Sequence, residues 1–405
     1  FRRDYLSVAR QILAKIANEN LNEKSELINF INRLNSENYA RYSSKLYNET
    51  STSARKIKEV HPTFNVDAKE VDGRIIIRDN FDKMFENIPE AMIFGQDVGK
   101  IGGVNQGCEG LQEKYGEVRV ADAGIRETTI LGQGIGLSLR GLRPIAEIQY
   151  LDYLLYAFQT MADDVATLSY RTHGGQISPV IIRTRGHRLE GIWHSGSPIG
   201  MIIHGARGVN LCVPRNMTKA AGFYNTLMAA QEPAMVIECL NGYRIKEKLP
   251  NNMGKFRTPL GVIETTKEGE DITLVTYGST WRIVTAATKL LEEAGILAEV
   301  IDIQTLVPFD LNHDIVESIK KTNRLLVIDE DVPGGASAYI MQKIIEEQKA
   351  FYHLDSEPQT LSAKAHRPAY GKDGDYFSKP SIEDVFEKVY AIMHEANPVK
   401  YPQLY

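Results

Sequence analysis

Along the first sixty residues apolar positions recur at helical spacing among charged ones. Leu6, Ala9, Ile12, Leu13 and Ile16 share one face, and Leu27, Phe30, Ile31 and Leu34 repeat the pattern, so an arm of two helices is predicted. His61-Pro62 breaks that pattern, and residues 61–78 read as irregular. Beyond them the period changes. Runs at 91–96, 119–121, 143–149, 179–184, 209–213 and 234–238 have the length and apolar character of buried strands, while 81–87, 154–169 and 217–231 carry helical spacing. After a connection over 250–259 the alternation resumes, with strands at 272–277, 298–303 and 324–330 and helices at 281–294, 314–321 and 338–348. A tail rich in Pro, Gly and aromatics follows, with one late helix at 381–394. Strands alternating with helices predict an α/β fold of two doubly wound, mostly parallel sheets. The expected units are a helical arm at 1–60, one α/β domain at 61–250 and a second at 260–405.

The stretch 121–153 concentrates the chemistry. On its predicted helix Thr128, Gly132 and Gly136 recur every four positions, a stripe along which another backbone can approach closely. The strand after it ends in Glu147, Gln149 and Tyr150, with Tyr153 just beyond. Ligands of open α/β sheets collect at the carboxyl ends of strands, which places Gln149 and Tyr153 where a ligand would lie. Glu127, in the first helical turn, can reach the same place, although a carboxylate there is also favoured by the helix dipole alone, worth ~0.3–1 kcal/mol. A second concentration is 183–198: Arg183 and Arg185 on one strand face, then His187, Arg188, Trp193 and His194 in a loop. It reads either as an anion and proton-transfer site or as a solvated basic loop with acidic neighbours. The glycines at 132, 134 and 136 lie inside a helix and miss the dinucleotide fingerprint. Pro333-Gly334-Gly335 reads as a tight strand-to-helix turn, and Asp373-Gly374-Asp375 as a fragment of a metal-diphosphate motif without its asparagine.

Composition narrows the partners. In 405 residues, 47 basic against 52 acidic side chains leave a net charge of −5, too mild to argue for nucleic acid or a membrane surface. Cys108, Cys212 and Cys239 have no metal-ligand or redox spacing, which points to reduced thiols and a cytoplasmic location. The chain starts Phe1-Arg2-Arg3 and is helical almost at once, so the expectation is a piece cut from a longer polypeptide.

Over 78–347 the phrases GQDVGKIGGV, GLQEKYGEVRV, ETTILGQGIGLSLRGLRPIAEIQYLDY, WHSGSP, VNLCVPRN, DITLVTYGS, EVIDIQTLVPFD and RLLVIDED resemble, in order and spacing, a known family. It is the β subunit of the thiamine-diphosphate-dependent component of 2-oxo acid dehydrogenase complexes, in the transketolase-like superfamily. The resemblance implies that Glu127 binds N1′ of the cofactor's aminopyrimidine, that Tyr153 stacks on that ring, that Gln149 makes a nearby polar contact and that Ile125 takes an apolar position. It also implies that His194 handles intermediates and acyl transfer to lipoamide. The chain departs from the family in reading Glu127-Thr128-Thr129 for Glu-Gln-Gly or Glu-Met-Gly, and His-Ser-Gly-Ser-Pro for His-Ser-Gln-Ser-Pro. In this family Mg²⁺ and the diphosphate are held by the α subunit, so the resemblance implies half a site here, an α part fused ahead of residue 1, and a homo-dimer or α2β2-like assembly. The implied reaction is oxidative decarboxylation of a 2-oxo acid with reductive acylation of a lipoyl acyltransferase core. The EIQY sequence at 147–150 points toward 2-oxoisovalerate; a pyruvate dehydrogenase β part, a transketolase-like enzyme or a non-catalytic assembly subunit are the alternatives.

Overall fold

A computed structural model describes residues 1–186, 196–369 and 371–405. Its strands are β1 (Glu70–Asp72), β2 (Ala91–Gly95), β3 (Val120–Asp122), β4 (Arg143–Ile148), β5 (Ile181–Gly186), β6 (Asn210–Cys212), β7 (Ala234–Cys239), β8 (Lys246–Lys248), β9 (Glu264–Lys267), β10 (Ile272–Thr276), β11 (Ala298–Asp302), β12 (Thr305–Val307), β13 (Leu325–Ile328) and β14 (Gln359–Leu361). The first sheet has seven strands in the order β12-β6-β7-β5-β4-β2-β3, parallel throughout except for β12. The second has five, β14-β13-β10-β11-β9, with only β9 antiparallel. Two mostly parallel α/β sheets with helices ahead of them are what the alternation of runs predicts.

Burial explains why the strands read as continuous apolar runs: all six residues of β4, β5 and β7 are buried, because helices cover both faces. One core cluster lies between the sheets, joining Ile148, Ile182 and Leu211 to Val275, Ile301 and Ile340. A second packs Ile76, Phe81, Phe85 and Phe223 under Ile93, Ile145 and Val236, and a third covers the outer face of the second sheet. Each such side chain contributes roughly 1.5–3 kcal/mol when fully buried. Arg143, at the start of β4, turns under the sheet and donates to the carbonyls of Leu227, Met228 and Ala230, satisfying the end of helix Met217–Ala229; burial pulls its pKa down to about 10.

Three local expectations differ from what is found. Residues 61–78 hold β1 and the start of helix Gly73–Asn87, because Ile76 and Ile77 are completely buried and that burial overrides the poor helix propensity of three consecutive isoleucines. The helix expected at 154–169 is a tight turn at Leu151–Tyr156, a π turn at Thr160–Val165 and a short helix at Leu168–Arg171. Hydrogen bonds of Asp152 to Gly196 and Arg367 pin the first of these turns. On helix Glu127–Leu139 the glycine packed on the sheet is Gly134: a Cβ there would lie 2.9 Å from Val180 and 3.2 Å from Ala146, whereas one at Gly132 or Gly136 would meet nothing within 4 Å. No helix among the described residues is long and apolar enough to cross a membrane.

Candidate functional site

The carboxyl ends of β2, β4, β5 and β7 lie side by side, in the register Gly95↔Glu147↔Arg183 and Arg185↔Glu238. A charge therefore closes each of three neighbouring strands. Below the sheet end Glu147 accepts from Arg183 Nη1 at 2.5 Å and from Arg185 Nη2 at 2.7 Å. Glu238 accepts from Arg183 Nε at 2.9 Å and Nη2 at 3.1 Å, from the Tyr224 hydroxyl at 2.7 Å and from the Tyr243 hydroxyl. All these side chains are essentially without solvent exposure. For both arginines burial alone would lower the pKa, but Glu238 and Glu147 outweigh it and raise them further. Glu238 is likewise pushed up by burial and pulled down further by Arg183. The Cys108 thiol, 3.5 Å from Arg183, is pushed up by burial to about 12 and stays protonated. Two guanidiniums thus face two carboxylates in a closed set. Arg183 and Arg185 are structural in this arrangement; neither is an anion site or part of a solvated loop. The sequence carried a signal for it, since Glu147 and Glu238 each end an apolar strand that flanks the one bearing the arginines.

Above that network the picture is different. Glu127 begins helix Glu127–Leu139 and is 9% exposed, and among the described residues no donor reaches its carboxylate. The Thr128 hydroxyl donates to the carbonyl of Tyr156, tying the helix start to the Leu151–Tyr156 turn that carries Tyr153. The Tyr153 hydroxyl is raised by burial first and then by the charges of Tyr150 and Glu127, which places Tyr153 in the field of Glu127. Its ring stands edge-on to Tyr150, centroids 5.6 Å apart. Gln149 is buried, and its amide donates to Asp97 Oδ2 at 3.0 Å. Asp97, which sequence reasoning missed, has a left-handed φ of 60° in the glycine-rich loop after β2; a non-glycine residue in that conformation carries strain of about 1–3 kcal/mol. Ile125 is 76% exposed and belongs to none of the core clusters. His194, with His187, Arg188 and Trp193, lies outside the described residues.

The structure thus gathers Glu127, Gln149 and Tyr153 at one sheet end and leaves Ile125 at the surface. A largely covered carboxylate without a donor beside a half-buried aromatic suits a planar heterocycle whose ring nitrogen can share a proton with it, which an aminopyrimidine ring can do. Nothing comparable is present for a metal: among the described residues no group of three His, Cys, Asp or Glu side chains is placed to hold one. The Pro333-Gly334-Gly335 turn binds its own chain, since Asp331 accepts from Val332 and Ala336 N–H. Asp375 faces Lys379 at 3.2 Å inside helix Gly371–Ser378 and its continuation.

Comparison with known proteins gives the family. Residues 69–244 match the model of the transketolase pyrimidine-binding domain, and residues 261–376 that of the transketolase C-terminal domain. The pyruvate dehydrogenase E1 component subunit beta of Acholeplasma laidlawii is 32% identical over 284 residues, covering 70% of this chain and 86% of that one. The 2-oxoisovalerate dehydrogenase subunit beta of Bacillus subtilis is 31% identical over 279 residues, covering 68% and 84%. Among solved structures, a split-gene transketolase in an inactive β4 tetramer superposes with a TM-score of 0.63 at 18% identity, over 80% of this chain and 98% of that one, a likeness of fold alone.

Proposed function

The chain belongs to the β subunits of thiamine-diphosphate-dependent 2-oxo acid dehydrogenases, and on that premise we propose that it supplies the pyrimidine half of an active site completed by an α part, with pyruvate as substrate. The observation that carries the reading is the buried Glu127 carboxylate, without a donor among the described residues, beside Tyr153.

Thiamine diphosphate, when bound, supplies the nucleophilic carbon and the electron sink that loss of CO₂ from a 2-oxo acid requires. This chain's own part is to hold and tune one end of it. Glu127 would share a proton with a ring nitrogen, an exchange that a desolvated carboxylate makes more strongly than one in water. Tyr153 would present its ring face, and Gln149, its amide fixed by Asp97, would keep a polar contact in register. Mg²⁺ and the diphosphate fall to the α part, and reductive acylation of a lipoyl acyltransferase to His194. The exposed Gly132 and Gly136 stripe is a natural face for a second copy or the α part.

For the substrate, the EIQY sequence loses its weight. Glu147 is locked between two arginines and Ile148 is core, so neither side chain reaches a substrate. Of eight similar β subunits compared, five belong to pyruvate dehydrogenase and three to 2-oxoisovalerate dehydrogenase, which tilts the substrate toward pyruvate. The test is decarboxylation by the full-length protein with its α part, thiamine diphosphate and Mg²⁺, on pyruvate and on 2-oxoisovalerate, with this chain alone as control. Turnover of pyruvate by the complete protein only is expected. Preference for 2-oxoisovalerate would reverse the substrate assignment, and inactivity on both would remove the dehydrogenase reading.

A further inference from the structure

Asp97 and Gln149 leave neighbouring parallel strands, each two residues beyond the registered pair of Gly95 and Glu147. That register, carried past the strand ends, sets the two side chains against each other. Gln149 is held there at two points. Its backbone carbonyl accepts from Arg185 Nη1 at 3.4 Å, which ties it to the closed charge network beneath, and its side-chain Nε2 donates to Asp97 Oδ2 at 3.0 Å. Its Oε1 is left over. Among the described residues nothing donates to that oxygen, although Gln149 is only 8% exposed. A covered acceptor without a donor is a place for a bound group to supply one.

Asp97 decides which end of the amide is left over. A carboxylate only accepts, so the amide turns its NH2 group to Asp97 and its oxygen away. Asp97 is itself fixed by the backbone around it. Its φ is 60°, its carbonyl accepts from Gly103 N–H at 2.7 Å, and the following Gly99 and Lys100 N–H groups donate to Asp122 at 2.7 and 3.0 Å. Glycine is the natural occupant of that backbone conformation, and a carboxylate kept there despite the strain is the group that orients Gln149. We infer that Asp97 is a positioning residue that fixes Gln149 as an acceptor, so that Gln149 selects a ligand bearing an N–H donor, the exocyclic amino group of an aminopyrimidine, over one bearing a carbonyl in the same place. The assignment rests on the functional reading above, which puts the ring beside Gln149. Two acceptors facing each other leave both unmet, an effect of roughly tenfold to a hundredfold in affinity.

The experiment is calorimetric titration of the full-length protein, with its α part and Mg²⁺, by thiamine diphosphate and by oxythiamine diphosphate, which carries an oxo group where the cofactor carries the amino group. The ratio of the two dissociation constants is read in wild type, Asp97→Asn, Asp97→Gly and Gln149→Met. Asp97→Asn tolerates the left-handed backbone and offers either end of its own amide, which frees Gln149 to turn. Asp97→Gly takes the same φ without strain and offers no side-chain partner. An oriented Gln149 predicts a wild-type preference for the amino ligand that falls roughly tenfold or more in both Asp97 variants, toward the floor set by Gln149→Met. A merely structural Asp97 weakens both ligands alike and leaves the ratio where it was. That result, or an unchanged ratio in Gln149→Met, overturns the positioning role while thiamine diphosphate binding by the wild type still supports the functional reading. Binding of neither ligand by the unmodified protein removes the functional reading, and the positioning role with it.

Discussion

Glu127 and Glu147 are both buried carboxylates at the carboxyl end of the first sheet, and they are treated in opposite ways. Glu147 is saturated by Arg183 and Arg185, and the same arginines reach Glu238, Tyr243 and Cys108, so no hydrogen-bonding capacity is left for a ligand. Glu127 has no donor among the described residues and stands beside an aromatic turn. The first arrangement fixes the floor of the site; the second leaves a largely covered carboxylate whose hydrogen-bonding capacity is open to a bound group. Charge at a strand end does not by itself mark a site. What marks it is burial without internal satisfaction.

The largest effect that would break this contrast is in turnover. Glu127→Gln in the assembled enzyme keeps the shape and removes the proton-sharing carboxylate, so decarboxylation should fall by ~10²–10⁴. Its unfolding free energy from urea titration should stay within about 0.5 kcal/mol of wild type, since no internal bond is lost. Turnover at the wild-type rate would overturn the assignment of Glu127. The mirror-image change is Arg183→Met, which strands Glu147 and Glu238 with insufficient positive charge. Breaking a buried ion network from one side costs about 3–5 kcal/mol, so equilibrium unfolding should show a loss of that order or no folded protein at all. A stability within 1 kcal/mol of wild type would mean that the network is not closed in solution.

That contrast also explains what could be read from the sequence. The alternation of short apolar runs with stretches of helical spacing gave both sheets, because parallel strands buried on two faces read as near-continuous apolar runs, as in 234–239 and 272–276. Glu127, Gln149 and Tyr153 could be singled out as candidates because strand ends in such sheets meet ligands. Short edge strands such as β12 and β14 were not, since three residues carry no period and their pairing is decided by distant partners. Arg183 and Arg185 were visible as charges but not as a network, because their partners come from strands that are neighbours only once the sheet order is known. Asp152, between a strand end and an expected helix, carried no signal of its own, because its partners Gly196 and Arg367 are far off in sequence.

A third carboxylate sharpens the comparison by pH. Asp329 is fully buried yet its partners are neutral: the Tyr277 hydroxyl at 2.5 Å and the N–H groups of Asp331 and Ser337, each at 2.9 Å. Burial first, and then the charge of Asp331, push its pKa from 3.8 up to about 7. A carboxyl whose folded pKa is raised stabilises the fold while protonated, and that contribution is lost as pH rises. The thermal midpoint should therefore carry a falling component between about pH 4 and pH 7, which Asp329→Asn removes. An identical pH profile in the variant would show that Asp329 does not titrate in that window.

The smallest effects test whether the outer face of helix Glu127–Leu139 is covered. Gly134→Ala pushes a methyl to within 2.9 Å of Val180 and should cost about 1–3 kcal/mol by overpacking. Gly132→Ala and Gly136→Ala add a methyl that meets nothing within this chain, so relief of glycine's backbone entropy should stabilise it by roughly 0.5–1 kcal/mol each. In the complete assembly the sign depends on what lies against the stripe. If a second copy or the α part packs there, the added methyls hold the helices apart, and sedimentation should show a smaller species even though the chain itself is more stable. Unchanged assembly with both alanines in place would leave Gly132 and Gly136 facing solvent, and the contact between subunits would have to lie elsewhere on the molecule.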